Sequence, residues 1–406
     1  MRTRLAWCLL ILCAGWFAYD AVLTQLPKDT DSDFRVYYFA ARHVLRGESP
    51  FLAEGYIYPP LLAMLMAPLG ALGYLAARWV WFVFSQGCLL LAAWLVYRCL
   101  VRNLLAACSV ALVWAGGRAA GEAVGLGQLG PELALLVAIA YTTADWPQGA
   151  SLGLGIALKL LPGPCAIGLA MARRWRALWV AILCGSLGAL SWVLASWALA
   201  GPRVQPPTAF LAGTPAVLSW SLPSVALRIM DPPAPGRGMP WADEFQLQAI
   251  HLRPATRMVG FSVIAVTFLA GIGALLAVTH GRVSRAQLPL TMASLTTLTL
   301  VAAPVSWTHY QVMQFPGVAL FVGGLALRGA WKKLGWALLT AAFLYPVPVM
   351  ALRWMFAANG DVWPNTPVAN YFWISTAPVA GLVLYGLMLA EIARSRDCSQ
   401  GAIHRP

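Results

Sequence analysis

The residues of this chain best suited to chemistry are three aspartates, Asp29, Asp31 and Asp33, which follow a long apolar stretch. An aspartate is ionised at neutral pH, so a carboxylate held beside a bound substrate can act as a general base. Aspartates are also favoured in the first turn of a helix, where they accept hydrogen bonds from free backbone N–H groups. From these residues alone, both interpretations stay open.

The elements around the aspartates are those of a membrane surface. Residues 5–23 carry a single charge, Asp20, and are long enough to cross roughly 30 Å of hydrocarbon. A cleaved signal peptide is the alternative, but the apolar run is longer than a usual signal core and no A-x-A site follows it. Residues 33–47 have apolar side chains at helical spacing and arginines between them, which predicts an amphipathic helix lying on the membrane.

Composition extends this interpretation to the whole chain. Hydrophobic residues make up 60% and charged residues 11% of the 406 residues, whereas about a quarter of a soluble protein is charged. The net charge of +13 does not indicate a nucleic-acid partner, because the basic residues form short clusters between apolar spans. We therefore predict an all-α, polytopic membrane protein that forms one domain over residues 1–406.

The apolar segments predict about twelve crossings. Besides 5–23, the predicted spans are 57–75, 79–97, 104–118, 129–144, 149–171, 177–199, 256–279, 287–303, 310–327, 334–352 and 371–391. The positive-inside rule places the basic clusters and the tails 1–4 and 394–406 in the cytoplasm. The main loops, 24–56 and 200–255, then lie on the extracytoplasmic side.

One charge conflict remains in this topology. Strict alternation puts Arg98 and Arg102 outside and the loop 119–128 inside, against their charge. Both would change sides if 57–75 and 149–171 were re-entrant, and the prolines in each segment make that possible.

The chain lacks the signatures of the commoner enzyme classes. Most of its cysteines lie in apolar spans, and neither a CxxC pair nor zinc-ligand spacing occurs. A P-loop, a dinucleotide-binding glycine motif, HExxH and GxSxG are also missing from the sequence. Asp31 and Asp33 form a D-x-D pair, but this short pattern arises often by chance, and we predict neither a metal nor another cofactor.

Several longer patterns occur together in a fixed order. They are DFRVYYFAARHVLRGESPF from Asp33, YIYPPL from Tyr56, GQLGPELALL from Gly127, GLGIALKLLP from Gly153, SWSLPSVALR from Ser219 and APVSWTHYQVM from Ala303. Their joint occurrence resembles glycosyltransferase family 87, the polyprenyl-phosphate-mannose-dependent mannosyltransferases of the GT-C superfamily. The chain departs from the family pattern at Gly130, Trp220 and Tyr310, where the family has asparagine, glutamine and histidine.

The resemblance implies a GT-C-type helical bundle in the plasma (inner) membrane with its active site on the extracytoplasmic side. The implied reaction is an inverting transfer of a hexose, with mannose the expected sugar, from a polyprenyl-phosphate donor to a lipid or glycan acceptor hydroxyl. Asp33 matches the family's catalytic aspartate and is the predicted general base. Asp31 is the fallback acid.

Six residues are candidates to bind the donor phosphate or sugar, some from the resemblance and others from their own chemistry. His309 matches the family histidine, although a histidine beside Trp307 at a membrane interface needs no further role. Lys159 lies in an apolar stretch, where an unpaired charge costs at least about 2.5 kcal/mol; binding the donor, snorkelling and pairing with Glu132 or Glu122 are its alternatives. The remaining candidates are Arg228, Tyr37, Trp307 and Gln128, the last of which could instead hydrogen-bond another helix.

The main rival is a secondary transporter or lipid flippase that uses Lys159 and Glu132 as coupling charges. Transporters usually have inverted halves with paired broken helices, and the sequence has no such symmetry. A relative with another sugar, or an inactive scaffold, is a third possibility.

Overall fold

The computed structural model describes residues 2–20, 26, 33–100, 104–116, 118–199, 219, 221–230, 253–306, 308–344, 347, 351 and 374–403. The regular elements in these ranges are helices. In chain order they are α1 Arg2–Asp20, α2 Asp33–Leu45, α3 Pro60–Leu65, α4 Ala67–Gly70, α5 Tyr74–Cys99, α6 Leu104–Gly116, α7 Arg118–Leu126, α8 Gly130–Thr142, α9 Asp145–Leu158, α10 Cys165–Met171, α11 Trp175–Ala198, α12 Leu222–Met230, α13 Pro254–Thr279, α14 Leu288–Ala302, α15 Phe315–Leu327, α16 Trp331–Leu344 and α17 Ile374–Ile403. Short 3₁₀ helices add Pro50–Leu52 and Thr308–Gln314.

The helices form two compact units. The first unit contains α1 to α11 and α15, and the second contains α12, α13, α14, α16 and α17. In the first unit α5 packs against α8, α9 against α11, and α15 against α6. In the second unit α17 packs against α14 and α16, and α12 packs against α13.

Five of the described helical stretches are long and apolar enough to cross a membrane. They are Tyr74–Cys99, Trp175–Ala198, Pro254–Thr279, His309–Leu327 and Ser375–Ser395. The all-α membrane protein predicted from composition is therefore confirmed, whereas the count of about twelve crossings stays a prediction.

Two predicted spans are not continuous helices. Residues 57–75 form α3 and α4, which are 6 and 4 residues long and each have a proline in the first turn. Residues 149–171 are interrupted between Leu158, where α9 ends, and Cys165, where α10 begins. Proline has no backbone N–H to donate and clashes with the preceding turn, so Pro162 and Pro164 account for the second break.

The amphipathic helix predicted over 33–47 is observed as α2, which ends slightly earlier. Gly47 adopts a left-handed φ of 73°, and the backbone N–H groups of Gly47 and Glu48 turn back to the carbonyls of Val44 and His43. This is the usual glycine-terminated end of a helix. The buried face of α2 includes Phe34, Tyr37 and Tyr38.

Helices α9 and α11 approach each other closely because glycines line their contact. A Cβ atom at Gly153 would lie 2.5 Å from the carbonyl oxygen of Ala181, and one at Gly149 would lie 2.3 Å from that of Ala177. Gly188 of α11 lies against Ala157 in the same way. Small residues let two helix backbones meet in a membrane, where packing rather than water exclusion drives association.

Candidate active site

Asp33 is the first residue of α2, and its carboxylate is held by a residue distant in sequence. The side-chain amide of Gln128 donates a hydrogen bond to Oδ2 of Asp33. The Asp33 side chain is only partly exposed. The predicted base is therefore held in place by a neutral donor.

Two tyrosines fix the orientation of the Gln128 amide. The hydroxyls of Tyr37 and Tyr58 both donate to Oε1 of Gln128, at 2.8 and 3.2 Å. Because the carbonyl oxygen accepts both bonds, the NH₂ group must face Asp33. The two tyrosine rings meet edge to face, with their centroids 5.0 Å apart, which keeps both hydroxyls directed at one atom.

The end of α7 explains why Gln128 lies beside α2. Gly127 has a left-handed φ of 70°, and the backbone N–H groups of Gly127 and Gln128 donate to the carbonyls of Val124 and Ala123 at 3.0 and 2.8 Å. This helix end favours glycine, which adopts positive φ without steric cost. A side chain there would also clash, because a Cβ atom would lie 2.5 Å from Cβ of Phe34.

Lys159 lies where α9 ends and contributes the positive charge of this cluster. Its ammonium lies 5.3 Å from the ring centroid of Tyr58 and interacts electrostatically with Asp33. Glu132, one of its predicted partners, instead accepts a hydrogen bond of 2.6 Å from Ser85. The alternative that Lys159 is a structural partner of Glu132 therefore gains no support.

The surroundings of Asp33 have opposing effects on its ionisation. Burial raises the pKa of the Asp33 carboxyl above its usual range, while the Gln128 hydrogen bond and the charge of Lys159 act to lower it. A raised pKa makes a carboxylate a stronger base, and the two partners keep the ionised form populated.

In the second unit, a buried polar network connects two of the sequence patterns. The hydroxyl of Ser219 accepts hydrogen bonds from the Ser224 hydroxyl, at 2.7 Å, and from the backbone N–H of Ser306, at 3.1 Å. Gln311 donates to the hydroxyl of Ser306 at 3.1 Å, and Arg228 donates to the carbonyl of Ser219 at 3.0 Å. The patterns that begin at Ser219 and Ala303 thus share one set of hydrogen bonds.

The remaining candidates also belong to the second unit or lie outside the described residues. His309 is buried in the 3₁₀ helix Thr308–Gln314, and its ring meets Tyr310 edge to face at 4.7 Å. Arg228 is 1% exposed; burial lowers its pKa to about 9, so it stays cationic at neutral pH. Trp307 and the fallback acid Asp31 lie outside the described residues.

The structure brings together four of the predicted site residues, namely Asp33, Tyr37, Gln128 and Lys159. Tyr58 joins them, although no role was predicted for it. The signal was present in YIYPPL, where a tyrosine precedes two prolines at the start of the predicted span 57–75.

Comparison with known proteins identifies the family. The model of glycosyltransferase family 87 matches residues 56–304, which is more than half of the chain. The chain belongs to glycosyltransferase family 87. The family 87 match includes Tyr58, Gln128, Lys159 and Arg228, and it ends before His309.

Two mycobacterial relatives align with almost the whole family 87 chain. One is the polyprenol-phosphate-mannose-dependent alpha-(1-2)-phosphatidylinositol mannoside mannosyltransferase of Mycobacterium tuberculosis, 27% identical over 97% of this chain and 94% of the relative. The other is the corresponding phosphatidylinositol pentamannoside mannosyltransferase of Mycolicibacterium smegmatis, 27% identical over 98% of this chain and 90% of the relative.

Other relatives of this family 87 member match over shorter stretches. GPI mannosyltransferase 1 of Aspergillus oryzae is 37% identical over 23% of this chain, and the chain spans only 20% of the length of that relative. The predicted resemblance to family 87 is thus confirmed.

Proposed function

We propose that this protein transfers a hexose, with mannose the expected sugar, from a polyprenyl-phosphate donor to a lipid or glycan hydroxyl outside the cytoplasm. The observation that carries the proposal is the carboxylate of Asp33, which is held by Gln128 and lies beside the ammonium of Lys159. The names of the two mycobacterial relatives support the donor class and a glycolipid acceptor.

Asp33 acts as the general base of this reaction. It removes the proton of the acceptor hydroxyl while that oxygen attacks the anomeric carbon from the face opposite the phosphate. The bond between the anomeric carbon and the phosphate oxygen breaks, and the phosphate leaves with the electron pair. One carboxylate therefore suffices, and the configuration at the anomeric carbon is inverted.

Lys159 has two roles in the proposed site. Its positive charge favours the ionised form of Asp33 before the reaction. Its second role is to bind the donor, where a cation stabilises the negative charge that develops on the departing lipid phosphate. His309, Arg228 and Trp307 stay predicted ligands of the donor, whereas the fixed amide of Gln128 supports a role in orienting Asp33.

Contacts within the first unit support the re-entrant topology for 57–75. Gln128 and Asp33 are hydrogen-bonded, so the end of α7 and the start of α2 belong on one face of the membrane. Tyr38 of α2 donates to the carbonyl of Leu72 at 2.8 Å, which keeps the start of α5 on the same face. Arg98, at the far end of α5, then lies in the cytoplasm, as its charge requires.

Contacts within the first unit also support a re-entrant topology for the segment 149–171. Asp145, at the start of α9, pairs with Arg174, just before α11, at 3.2 Å, so the chain leaves one face and returns to it. Lys159, at the break between α9 and α10, interacts electrostatically with Asp33 from this segment. Without these two segments about ten crossings remain, and every basic cluster keeps its cytoplasmic side.

The test is a transfer assay with purified protein, a synthetic polyprenyl-phosphate-mannose and a panel of lipid and glycan acceptors. Asp33→Asn removes the base and keeps the shape, so we expect transfer to fall by at least about a hundredfold. Glu54→Gln is the matched control, because Glu54 is exposed in the same unit and the change likewise replaces a carboxylate by an amide. Undiminished transfer by Asp33→Asn would contradict the assignment of Asp33 as the general base.

A further inference from the structure

Arg78 is a buried cation that the proposed mechanism does not use. It lies in α5, a helix apolar enough to cross the membrane, and its side chain is 1% exposed. Burying a charged side chain in a protein interior is costly unless the charge is paired. The partners of Arg78 should therefore show what the residue is for.

The first partner is the end of α7. Nη2 of Arg78 donates to the carbonyl oxygens of Val124 and Gly125, at 2.9 and 2.7 Å. The last carbonyls of a helix have no partner within the helix and carry partial negative charge. Arg78 thus stabilises the turn that places Gln128 beside Asp33, and Trp81, one turn further along α5, donates to the carbonyl of Gly127 at 2.9 Å.

The second partner is Phe34. The guanidinium carbon of Arg78 lies 5.5 Å from the centroid of the Phe34 ring, within the usual range of a cation–π contact. A Cβ atom at Gly127 would lie 2.5 Å from Phe34 and 3.3 Å from Cζ of Arg78. Arg78, Phe34 and Gly127 therefore meet at one point.

Two residues that contact Arg78 or lie against it are adjacent in sequence to Asp33 and Gln128. Phe34 follows Asp33, and Gly127 precedes Gln128. We propose that Arg78 is a positioning residue, which holds Phe34 and the Gly127 turn at the spacing that lets the Gln128 amide reach the Asp33 carboxylate. This inference rests on the proposed function of Asp33.

Arginine suits this position better than lysine. The planar guanidinium offers several donors in a fixed arrangement and can lie on an aromatic face at the same time. A lysine would keep the charge but could not reproduce both contacts, so Arg78→Lys is a mild variant that keeps the positive charge of the site.

The first test compares the pH dependence of kcat/KM in Arg78→Lys, Gln128→Ala and the double variant. In the described part of the chain, the titratable and charged groups around the first turn of α2 are Arg35 and Tyr37 on α2, Tyr58 before α3, Tyr74 and Arg78 on α5, and Lys159 after α9. We expect each single change to lower kcat/KM by about tenfold and to move its acidic limb to higher pH, and the double variant to add little, as residues that act as one unit do. Arg98→Met is the control, because Arg98 lies exposed on the same helix with its guanidinium 5.4 Å from the Trp94 ring.

The second test does not depend on activity. The backbone N–H groups of Gly127 and Gln128 are hydrogen-bonded in the turn that Arg78 stabilises, so Arg78→Lys should speed hydrogen exchange of a peptide covering residues 123–130. The Asp33→Asn background should show the same increase, so this result separates Arg78 from the assignment of the base. Two results would overturn the positioning role. One is an unchanged rate of hydrogen exchange in residues 123–130. The other is additive losses of kcat/KM in the double variant with no shift of the acidic limb of its pH profile.

Discussion

The side-chain amide of Gln128 donates a hydrogen bond to the carboxylate of Asp33, a residue 95 positions earlier in the chain. This bond joins the first turn of α2 to the turn after α7. Helix α2 begins at Asp33, a residue type favoured at helix starts, and α7 ends before Gly127, a residue type favoured at helix ends. The proposed base is therefore positioned by two local sequence signals that converge.

Replacing Gln128 should change the pH dependence of transfer. The base works in its ionised form, so activity is lost as the pH falls through the pKa of Asp33. The Gln128 hydrogen bond lowers that pKa, so Gln128→Ala should raise it and move the acidic limb of kcat/KM to higher pH. At neutral pH we expect a loss of about tenfold, equivalent to one hydrogen bond to a charged group. An acidic limb that stays in place would show that Gln128 does not act on the base.

Replacing Lys159 should affect transfer more than any other substitution of a basic residue in the first unit. Lys159→Met removes the charge beside Asp33, and we expect kcat/KM to fall by about a hundredfold, with Lys159→Arg retaining part of the activity. Lys332→Met is a control, since Lys332 is exposed in the second unit. Equal activity of the two methionine variants in steady-state assays would argue against a role for Lys159.

A methyl group at Gly127 should damage the site more than the fold. Gly127→Ala combines a left-handed φ with a clash against Phe34, and the φ alone costs about 1–2 kcal/mol. Because Phe34 adjoins Asp33, we expect a loss of transfer of at least about tenfold. Gly87→Ala serves as the control, as a Cβ atom there meets nothing within 4 Å. If Gly127→Ala were as active as Gly87→Ala, the close packing at the turn would not matter for catalysis.

The contact between α9 and α11 should be sensitive to any side chain at Gly153. A Cβ atom there would lie 2.5 Å from the Ala181 carbonyl and 2.6 Å from Cβ of Cys184, so Gly153→Ala should cost about 1–3 kcal/mol through overpacking. Thermal unfolding in detergent should show a lower midpoint than for Gly273→Ala, where the added Cβ has open space. Identical midpoints would contradict the close approach of the two backbones.

The re-entrant topology can be tested by labelling from each side of the membrane. In a background with the native cysteines replaced, Glu54→Cys and Arg98→Cys each supply one exposed thiol. We expect a membrane-impermeant maleimide to label position 54 from outside and position 98 only after the membrane is opened. Labelling of both positions from outside would restore 57–75 as a full crossing.

The sequence predicts the parts of the site better than their arrangement. The period of α2 and the family patterns were enough to single out Asp33, Tyr37, Gln128 and Lys159. Their meeting was not predictable, because nothing local in the sequence reports a contact between α2, the end of α7 and the end of α9.

Two residues were missed for reasons that the structure makes clear. Arg78 lies between the predicted spans 57–75 and 79–97, and nothing in the sequence there predicts its burial. In the structure α5 begins at Tyr74 and buries it. The second residue, Tyr58, is part of the pattern YIYPPL, but the sequence alone predicts no role for it. Its role follows from the hydrogen bond that its hydroxyl donates to Gln128.

The shortness of α9 has a consequence for how the protein is made. At 1.5 Å per residue, its 14 residues extend only about 21 Å, less than the roughly 30 Å of hydrocarbon. The glycines on its surface offer little apolar side-chain area for contact with lipid. They pack instead against the backbone of α11. In a nascent chain that lacks α11, helix α9 has no packing partner at this surface, and the position of Lys159 is therefore not yet fixed. The proposed catalytic cluster should therefore become complete only after residue 198 has been synthesised.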